Sequence, residues 1–312
     1  MTTNFTEYND ISVGDMVTMV FEVILMAFIC TVNSLTLIVV SLNRSLWTVP
    51  NMYIISLAVA DLLSGLSLAY QMVFHIPGIK LEFDQNKYLC LFRHVLFFVM
   101  LGASILNMVL IAIDRWACIT FPFAYERLAT IPKAGILIGL TWIFAIFLGS
   151  IPLYVNHWKT DVRCRFFKVL TMEYQTYTQG GFFVVCSIII AACYAHIFHT
   201  ANRERKAILH ITMITHTLTH ERRRAKFKRD WELVVMFSVV FGVFFLCCTP
   251  AFIFIIITYT AGVSESVNSF TIPLLVMNSG MNFIIYVVKN SQFRRALKAT
   301  CFCRRTSVVG TV

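Results

Sequence analysis

The chain has 312 residues, of which 58% are hydrophobic and only 13% are charged, and its mean hydropathy is +0.74. Soluble globular domains carry about 25% charged residues, so this composition excludes an ordinary water-soluble domain and indicates a membrane protein. The formal net charge of +10 does not indicate a nucleic-acid-binding protein, because the basic residues lie between apolar segments rather than on a separate soluble body.

Seven runs of mainly apolar residues are each long enough, at about 20 residues, to cross a bilayer. We place them at residues 16–42, 50–76, 90–118, 134–154, 176–199, 232–260 and 266–288. A lipid-exposed backbone must satisfy its polar groups within a helix or a closed barrel, and these runs do not alternate as barrel strands would. The sequence therefore predicts an all-α membrane protein, a seven-transmembrane helix bundle over residues 16–288. Residues 1–15 form a predicted extracellular tail, and residues 289–312 a short amphipathic eighth helix and a cytoplasmic tail.

The charges of the loops predict the orientation of the bundle. Seven of the 26 Lys and Arg residues lie on the side of the amino terminus, and nineteen lie on the opposite side. Because cytoplasmic loops are enriched in basic residues, we expect the amino terminus outside and the protein in the plasma membrane. Asn4 begins the motif Asn4-Phe5-Thr6, which predicts glycosylation of the tail.

One ionisable residue lies deep inside a predicted span. Asp61 is eleven residues into the second segment, roughly 16 Å below the surface. Polar residues at comparable depth in other segments are Asn33, Ser104, Asn278 and Asn282. Carboxylate, hydroxyl and amide oxygens are ligands for small hard cations, so we expect a polar cluster that binds Na⁺ at Asp61 and no other cofactor. The alternative is a hydrogen-bonded Asp61 that only ties helices together.

Two pairs of cysteines have predicted modifications. Cys90 and Cys164 are the cysteines predicted to lie on the oxidising outer side, and a disulfide between them would attach the second outer loop to the third helix. Cys301 and Cys303 follow the predicted eighth helix and are candidates for palmitoylation. In both pairs the alternative is two free thiols.

A series of motifs occurs in order along the chain. They are Asn33; Leu57-Ala58-Val59-Ala60-Asp61; Cys90 with Cys164; Asp114-Arg115-Trp116; Trp142; Tyr194; Phe244 and Pro250; Asn278-Ser279; Asn282-Phe283-Ile284-Ile285-Tyr286; and Phe293-Arg294-Arg295-Ala296-Leu297-Lys298. With these residues the chain resembles a rhodopsin-like (class A) G-protein-coupled receptor along essentially its whole length.

This resemblance implies a receptor, not an enzyme, that transmits an extracellular ligand signal to a heterotrimeric G protein. Membrane lipids and arrestin are further expected partners, and no nucleic acid is. The family pattern implies that Arg115 pairs with Asp114 and with Asp230, at the start of the sixth helix, in the resting state. Arg115 would then contact the G protein when the sixth helix swings outward, and Tyr194 and Tyr286 would belong to the same switch.

Four residues depart from the family pattern: Trp116 replaces a Tyr, Cys248 a Trp, Phe283 a Pro and Cys186 a Pro. These changes bear on activation more than on the fold, and they keep open an atypical, weakly signalling receptor-like protein that modulates other receptors. A seven-helix transporter or pump is a further alternative. It would need a series of ionisable groups, or a Lys in the last span for a retinal Schiff base, and residues 266–288 contain no Lys.

A ligand pocket is expected in the outer third of the bundle. Its predicted lining is Arg93, His94, Phe97, Phe98, Leu101, Phe252, Ile255, Asn268, Ile272 and Val276. Phe97 stands where amine-binding members of the family have an Asp, which disfavours biogenic amines. Apolar walls with Arg93 and His94 at the polar upper edge, together with His75 and Gln71, suit a lipid-like or acidic amphiphile. The alternative is that Arg93 only reaches the interface and the aromatic residues are ordinary core; a peptide ligand also remains open.

Overall fold

The computed structural model describes residues 13–159, 164–212, 218–261 and 268–302. Within these ranges all regular secondary structure is helical, which confirms the predicted all-α class. Asn4 and Cys303 lie outside the described residues, so the modifications predicted there stay predictions. The side chains of Asn268 and Ile272 are likewise outside the description.

Eight α-helices of twelve residues or more make up most of the described chain, and shorter helices connect some of them. They are α1 Val13–Leu42, α2 Val49–Met72, α3 Lys87–Thr120, α4 Ile131–Ser150, α5 Gly181–Thr212, α6 Leu218–Ala261, α7 Asn268–Lys289 and α8 Ser291–Phe302. A π-helical segment, Glu173–Gly180, leads directly into α5. The first six helices each contain a stretch long and apolar enough to cross a membrane, and α7 contains the shorter apolar stretch Leu274–Lys289.

The sixth helix is longer than its apolar span. The apolar part runs from Asp230 to Ala261, close to the predicted segment, but the helix itself begins at Leu218. Asp230 therefore lies within α6 rather than at its first turn. Arg and Lys have good intrinsic helix propensity, which explains why the basic stretch before Asp230 continues the helix.

Helix α3 lies at the centre of the bundle. In its most apolar stretch 67% of the residues are buried, compared with 22% in the stretch that contains α4, so α4 is the peripheral helix. Helices α3 and α4 approach closely at Gly149, where a Cβ atom would lie 2.7 Å from the backbone nitrogen of Val99. About two turns earlier on α4, Trp142 Nε1 donates to Ser56 Oγ at 3.1 Å and so joins α4 to α2.

Helix α8 is amphipathic, as predicted. Asn290 caps its first turn, because Asn290 Oδ1 accepts from the backbone N–H groups of Gln292 and Phe293, each at 3.0 Å. Phe293 is buried, as is Ala296 one turn later. The basic residues Arg294, Arg295 and Lys298 are exposed, which is the arrangement of a helix that lies along a membrane surface.

Candidate functional site

A closed triangle of hydrogen bonds lies at one end of α3, which we call the Arg115 end. Arg115 donates to Asp114 Oδ2 from Nε at 3.0 Å and from Nη2 at 2.5 Å. Arg115 Nη2 also donates to the Tyr125 hydroxyl at 3.1 Å, and that hydroxyl donates to Asp114 Oδ1 at 2.9 Å. Asp114 and Arg115 are both buried. The triangle thus holds a desolvated ion pair whose two charges are satisfied by each other and by one phenol.

Tyr125 is a member of this triangle that the sequence analysis missed. It lies on a short helix, Pro122–Leu128, that begins with a proline at its first position and places Tyr125 back against the end of α3. Burial raises the pKa of the Tyr125 phenol above its usual range. The hydroxyl therefore stays protonated and donates a hydrogen bond to Asp114. The signal that could have identified Tyr125 is the proline helix start directly after α3.

The other residues predicted for the switch lie in or near the same end. Tyr194 of α5 and Tyr286 of α7 are buried, and the Tyr286 hydroxyl has no hydrogen-bond partner among the described residues. The predicted ion pair between Arg115 and Asp230 stays a prediction. Trp116, the departure from the family pattern, faces α5 instead, where its Nε1 donates to His196 Nδ1 at 3.2 Å.

Asp61 is the centre of a second polar group, in the middle of the bundle. Its side chain is fully buried, and Ser104 Oγ donates to Oδ1 at 3.2 Å while Asn282 Nδ2 donates to Oδ2 at 2.8 Å. Asn33 joins this group only indirectly, because its Nδ2 donates to the backbone carbonyl of Ser279 at 3.0 Å. Helices α1, α2, α3 and α7 therefore meet at the predicted polar cluster.

The polar cluster also contains acceptors that no described group satisfies. The side-chain oxygens of Asn278 and Asn282 are buried and without a hydrogen-bond partner. A small cavity of about 10 Å³ touches Ser104, Asn278 and Ser279. A carboxylate, a hydroxyl and two unpaired amide oxygens form a donor set that fits a small hard cation or an ordered water.

The opposite end of α3, which we call the disulfide end, carries the predicted bond between Cys90 and Cys164. The S–S distance is 2.00 Å, which confirms the predicted disulfide. The backbone N–H of Cys164 donates to Asp84 Oδ1 at 3.0 Å and fixes the loop further. His94 Nε2 lies 4.0 Å from Cys164 Sγ, but both sulfurs are used in the disulfide, so these three residues offer no thiolate to a metal.

Arg93 and His94, both predicted at the polar edge of the pocket, have different surroundings. His94 is buried, and its ring packs edge-on against Phe166. Arg93 turns toward α2 and α1: its Nε donates to Gln71 Oε1, and its guanidinium carbon lies 4.3 Å from the centre of the Phe74 ring. Side chains leave a helix in fixed directions, so residues close in sequence can face different neighbours.

A second group of charges lies near Arg93. His75 Nδ1 is 3.0 Å from Asp15 Oδ1, and His75 Nε2 is 3.8 Å from Glu22 Oε2. Glu22 is buried, and the sequence analysis did not assign it to the binding region. The region between α1, α2 and α3 therefore combines carboxylates with Arg93 rather than presenting a purely cationic surface.

The predicted apolar lining does come together, one to two turns further along α3 from Arg93. Phe97, Phe98, Leu101, Phe252 and Ile255 surround one small cavity of about 20 Å³. Val276 shares the neighbouring 10 Å³ cavity with Phe97 and Leu101. A cavity of this size holds about one water molecule, so a ligand can enter only if side chains or helices move.

Two of the unusual residues are ordinary packing residues in this structure. Cys248 is fully buried in the same core cluster as Phe244. Phe283 packs against Phe293 of α8, with ring centroids 6.0 Å apart. Cys186, the remaining departure from the family pattern, is a buried thiol in α5, downstream of the π-helical segment.

The bundle, the disulfide and the buried polar groups define a multi-span helical membrane protein. A sequence profile described as 7 transmembrane receptor (rhodopsin family) matches residues 32–286. The adenosine receptor A3 of Ovis aries is 28% identical over 287 residues, which cover 87% of this chain and 86% of that receptor. The histamine H2 receptor of Cavia porcellus is 27% identical over 313 residues, which cover 96% of this chain and 83% of that receptor. The octopamine receptor beta-2R of Chilo suppressalis is 26% identical over 312 residues, which cover 87% of this chain and 76% of that receptor.

Because the profile spans well over half of the sequence, the chain belongs to the rhodopsin family of seven transmembrane receptors. Membership confirms the resemblance drawn from the motifs and implies an extracellular ligand and coupling to a G protein.

Proposed function

We propose that this receptor lies in the plasma membrane with its disulfide end outside and its Arg115 end in the cytosol, and that release of Arg115 activates a heterotrimeric G protein. The observation that supports this proposal is the buried triangle of Arg115, Asp114 and Tyr125. The predicted topology assigns nineteen of the 26 basic residues to the side of this triangle, which supports a cytosolic location. Arrestin is a second proposed partner at this end.

The triangle has the strength required of a switch. Hydrogen bonds that involve a charged group contribute about 1.5–3 kcal/mol each to stability. An energy of that size favours one of two states by about tenfold to a hundredfold, yet a ligand with a comparable preference for the other state reverses it. Asp230 is proposed to add to the pairing from α6.

The test is the variant Arg115→Ala in cells that report G-protein activation. We expect both basal and agonist-stimulated activation to be lost, because the residue proposed to contact the G protein is gone, while surface expression persists. Arg127→Ala is the matched control, since Arg127 is an exposed arginine at the same end. Normal coupling of Arg115→Ala would refute the proposed switch.

Asp61 and the oxygens around it are proposed to hold a sodium ion. Asp61, Ser104, Asn278 and Asn282 would be its ligands, with Asn33 holding α7 in place through the Ser279 carbonyl. A bound cation would tie α2, α3 and α7 together. In purified receptor we expect Na⁺ to raise the unfolding temperature above that measured in K⁺ at equal ionic strength. Asp61→Asn should remove this difference; the same difference in parent and variant would contradict the site.

We further propose a ligand with an apolar body and an acidic or polar head rather than a biogenic amine. The apolar set around Phe97 and Phe252 supports the body, and Arg93 is the proposed partner of the head. The relatives named for histamine, octopamine and adenosine supply the competing ligand classes. A response to any of those three compounds at lower concentration than to acidic lipids would refute this part of the proposal.

Arg93→Ala tests the head group. We expect the potency of an acidic lipid agonist to fall by about thirtyfold, which corresponds to on the order of 2 kcal/mol, with basal output unchanged. Lys168→Ala is the control, because Lys168 is an exposed basic residue at the disulfide end. Equal potency of Arg93→Ala and parent would remove the role assigned to Arg93.

A second candidate function is modulation of other receptors by a weakly signalling protein. The small volume enclosed by Phe97, Phe98, Leu101, Phe252 and Ile255 favours it, since no ligand fits there without rearrangement. Co-expression of the chain with a second receptor distinguishes the two functions. Changed signalling of that second receptor, with no G-protein response of this chain alone, would select the modulator.

Two modifications complete the proposal. Glycosylation at Asn4 is tested by a glycosidase-sensitive mass that Asn4→Gln removes. Palmitoylation is proposed at Cys301, an exposed residue in the last turn of α8, and at Cys303. The double variant Cys301→Ser with Cys303→Ser should lose thioester-linked palmitate; retained label would place the lipid elsewhere.

A further inference from the structure

A second cavity lies between α6 and the continuous unit formed by Glu173–Gly180 and α5, and among the described residues it shares only Phe252 and Ile255 with the predicted ligand pocket. Its volume is about 720 Å³, and Phe183, Phe245 and Phe252 are among its walls. Pockets that hold drug-sized ligands have volumes of about 300–1,000 Å³. This cavity is therefore large enough for one amphiphilic molecule.

The cavity opens toward the bilayer. Its lining includes Val184, Ile188 and Ile256, which are 52%, 62% and 49% exposed. Apolar side chains exposed on a membrane-spanning helix face acyl chains, so the opening admits molecules from the lipid phase. Among the described residues that line the cavity there is no Asp, Glu, Lys, Arg or His. A charged group would have no counter-charge there.

Three residues of this apolar lining, Gln175, Thr176 and Ser187, each have a buried polar atom with no hydrogen-bond partner among the described residues: Gln175 Oε1, Thr176 Oγ1 and Ser187 Oγ. Gln175 itself is fully buried. A buried polar group without a hydrogen-bond partner is unfavourable, and no described residue supplies a partner for these three. Their presence along one cavity points to a polar group supplied by an occupant.

The orientation of the Gln175 amide follows from its other contacts. Its Nε2 donates to the backbone carbonyls of Phe166 and Leu170 at 3.4 and 3.3 Å and lies 2.7 Å from the Tyr259 hydroxyl. Carbonyl oxygens only accept, so the amide nitrogen must lie on that side. Oε1 is thereby left as an acceptor, and it requires a donor such as a hydroxyl.

We propose that this cavity binds a neutral lipid alcohol that enters from the bilayer between α5 and α6 and donates its hydroxyl to Gln175 Oε1. Its apolar body would lie along Phe183 and Phe252 toward Ser187, which follows Gln175 by twelve residues, or about 18 Å along a helix. Phe252 also borders the small cavity next to Phe97, so it separates the two spaces. The inference goes beyond the proposed function and does not depend on signalling.

The experiment uses full-length receptor in lipid nanodiscs and photoreactive probes. The probes are a sterol and a monoacylglycerol, each with a diazirine in its apolar part, and a methyl ether of each in which the hydroxyl cannot donate. After irradiation, mass spectrometry identifies the labelled peptides. We expect at least one alcohol to label the cavity walls of α5 or α6, at about tenfold lower concentration than its ether, a ratio typical of one buried hydrogen bond.

Two variants separate this site from general lipid contact. Gln175→Leu should abolish the difference between alcohol and ether, whereas a purely structural effect would weaken both probes equally. Gly181→Phe should block labelling by filling the cavity, because a Cβ at Gly181 meets no atom within 4 Å. Gly181→Ala is its control and should label as the parent does.

Several outcomes overturn the proposal. They are equal labelling by alcohol and ether in the parent, an unchanged ratio in Gln175→Leu, unchanged labelling of Gly181→Phe, or no labelling of these walls by either alcohol. Preferential labelling by a photoreactive fatty acid at the same walls would replace the neutral ligand by an acidic one and would also overturn it. Each readout is independent of G-protein activation, so failure here leaves the Arg115 test unaffected.

Discussion

The triangle at the Arg115 end and the cavity between α5 and α6 both contain buried polar groups, but the hydrogen bonds of those groups are made in the triangle and, among the described residues, partly missing in the cavity. In the triangle, Asp114, Arg115 and Tyr125 satisfy one another. In the cavity, Gln175 and Ser187 keep unpaired atoms. Hydrogen bonds within the triangle stabilise one conformation, and a conformational change must break them. An unpaired polar atom still lacks a hydrogen bond, which a bound molecule could supply. The proposed switch therefore has satisfied hydrogen bonds, whereas the proposed binding site does not.

The largest expected effect is that of Asp114→Asn. It leaves the Arg115 guanidinium buried without its counter-charge, and removal of one partner of a buried ion pair costs about 3–5 kcal/mol. We expect a lower unfolding temperature together with raised basal G-protein activation. Glu232→Gln, an exposed carboxylate on α6, is the control. If Asp114→Asn unfolds and signals like the parent, the triangle does not restrain the receptor.

Tyr125→Phe should have a smaller effect in the same direction. It removes one hydroxyl and keeps the ring, so the loss of its hydrogen bonds to Arg115 and Asp114 should cost about 1 kcal/mol and raise basal activation roughly fivefold. Constitutive nucleotide exchange on the G protein measures it. Tyr154→Phe serves as the control, because Tyr154 is 84% exposed. Basal activation no higher than in the parent would show that Tyr125 only fills space.

Ser187→Ala should have the smallest effect, with the opposite sign. No described residue hydrogen-bonds its hydroxyl, so its removal should leave the unfolding temperature unchanged or raise it slightly. Ser104→Ala is the matched comparison: Ser104 Oγ donates to Asp61, and its removal should lower the stability by about 1 kcal/mol. Equal losses in the two variants would mean that Ser187 is satisfied, and the contrast between the two regions would disappear.

The sequence predicted the composition of these sites better than their geometry. Asp61, Ser104 and Asn282 were recognised because an ionisable group in a membrane span demands partners at its own depth, and they bond directly. Tyr125 and Gln175 were missed because each lies in a connecting or distorted segment, the short helix after α3 and the π-helical turn before α5. Hydrophobic periodicity carries no information about such segments.

The predicted ligand pocket shows the same limit. Its predicted lining combines residues from the outer third of three helices, and the structure gives those on α3 different neighbours. Phe97 and Phe98 face the small apolar cavity, while Arg93 faces Gln71 and Phe74. Depth along a helix follows from counting residues, but the direction of a side chain is decided by which helices surround it.

The sequence by itself determined that the chain crosses the membrane as a bundle of helices and belongs with rhodopsin-like receptors. The physical reason is that hydrocarbon requires long apolar helices and makes each buried polar residue conspicuous. Only the tertiary structure decided which polar atoms find partners, as at Arg115, and which do not, as at Gln175. Hydrogen bonding depends on distances of a few ångströms between different helices, and those distances are set by packing.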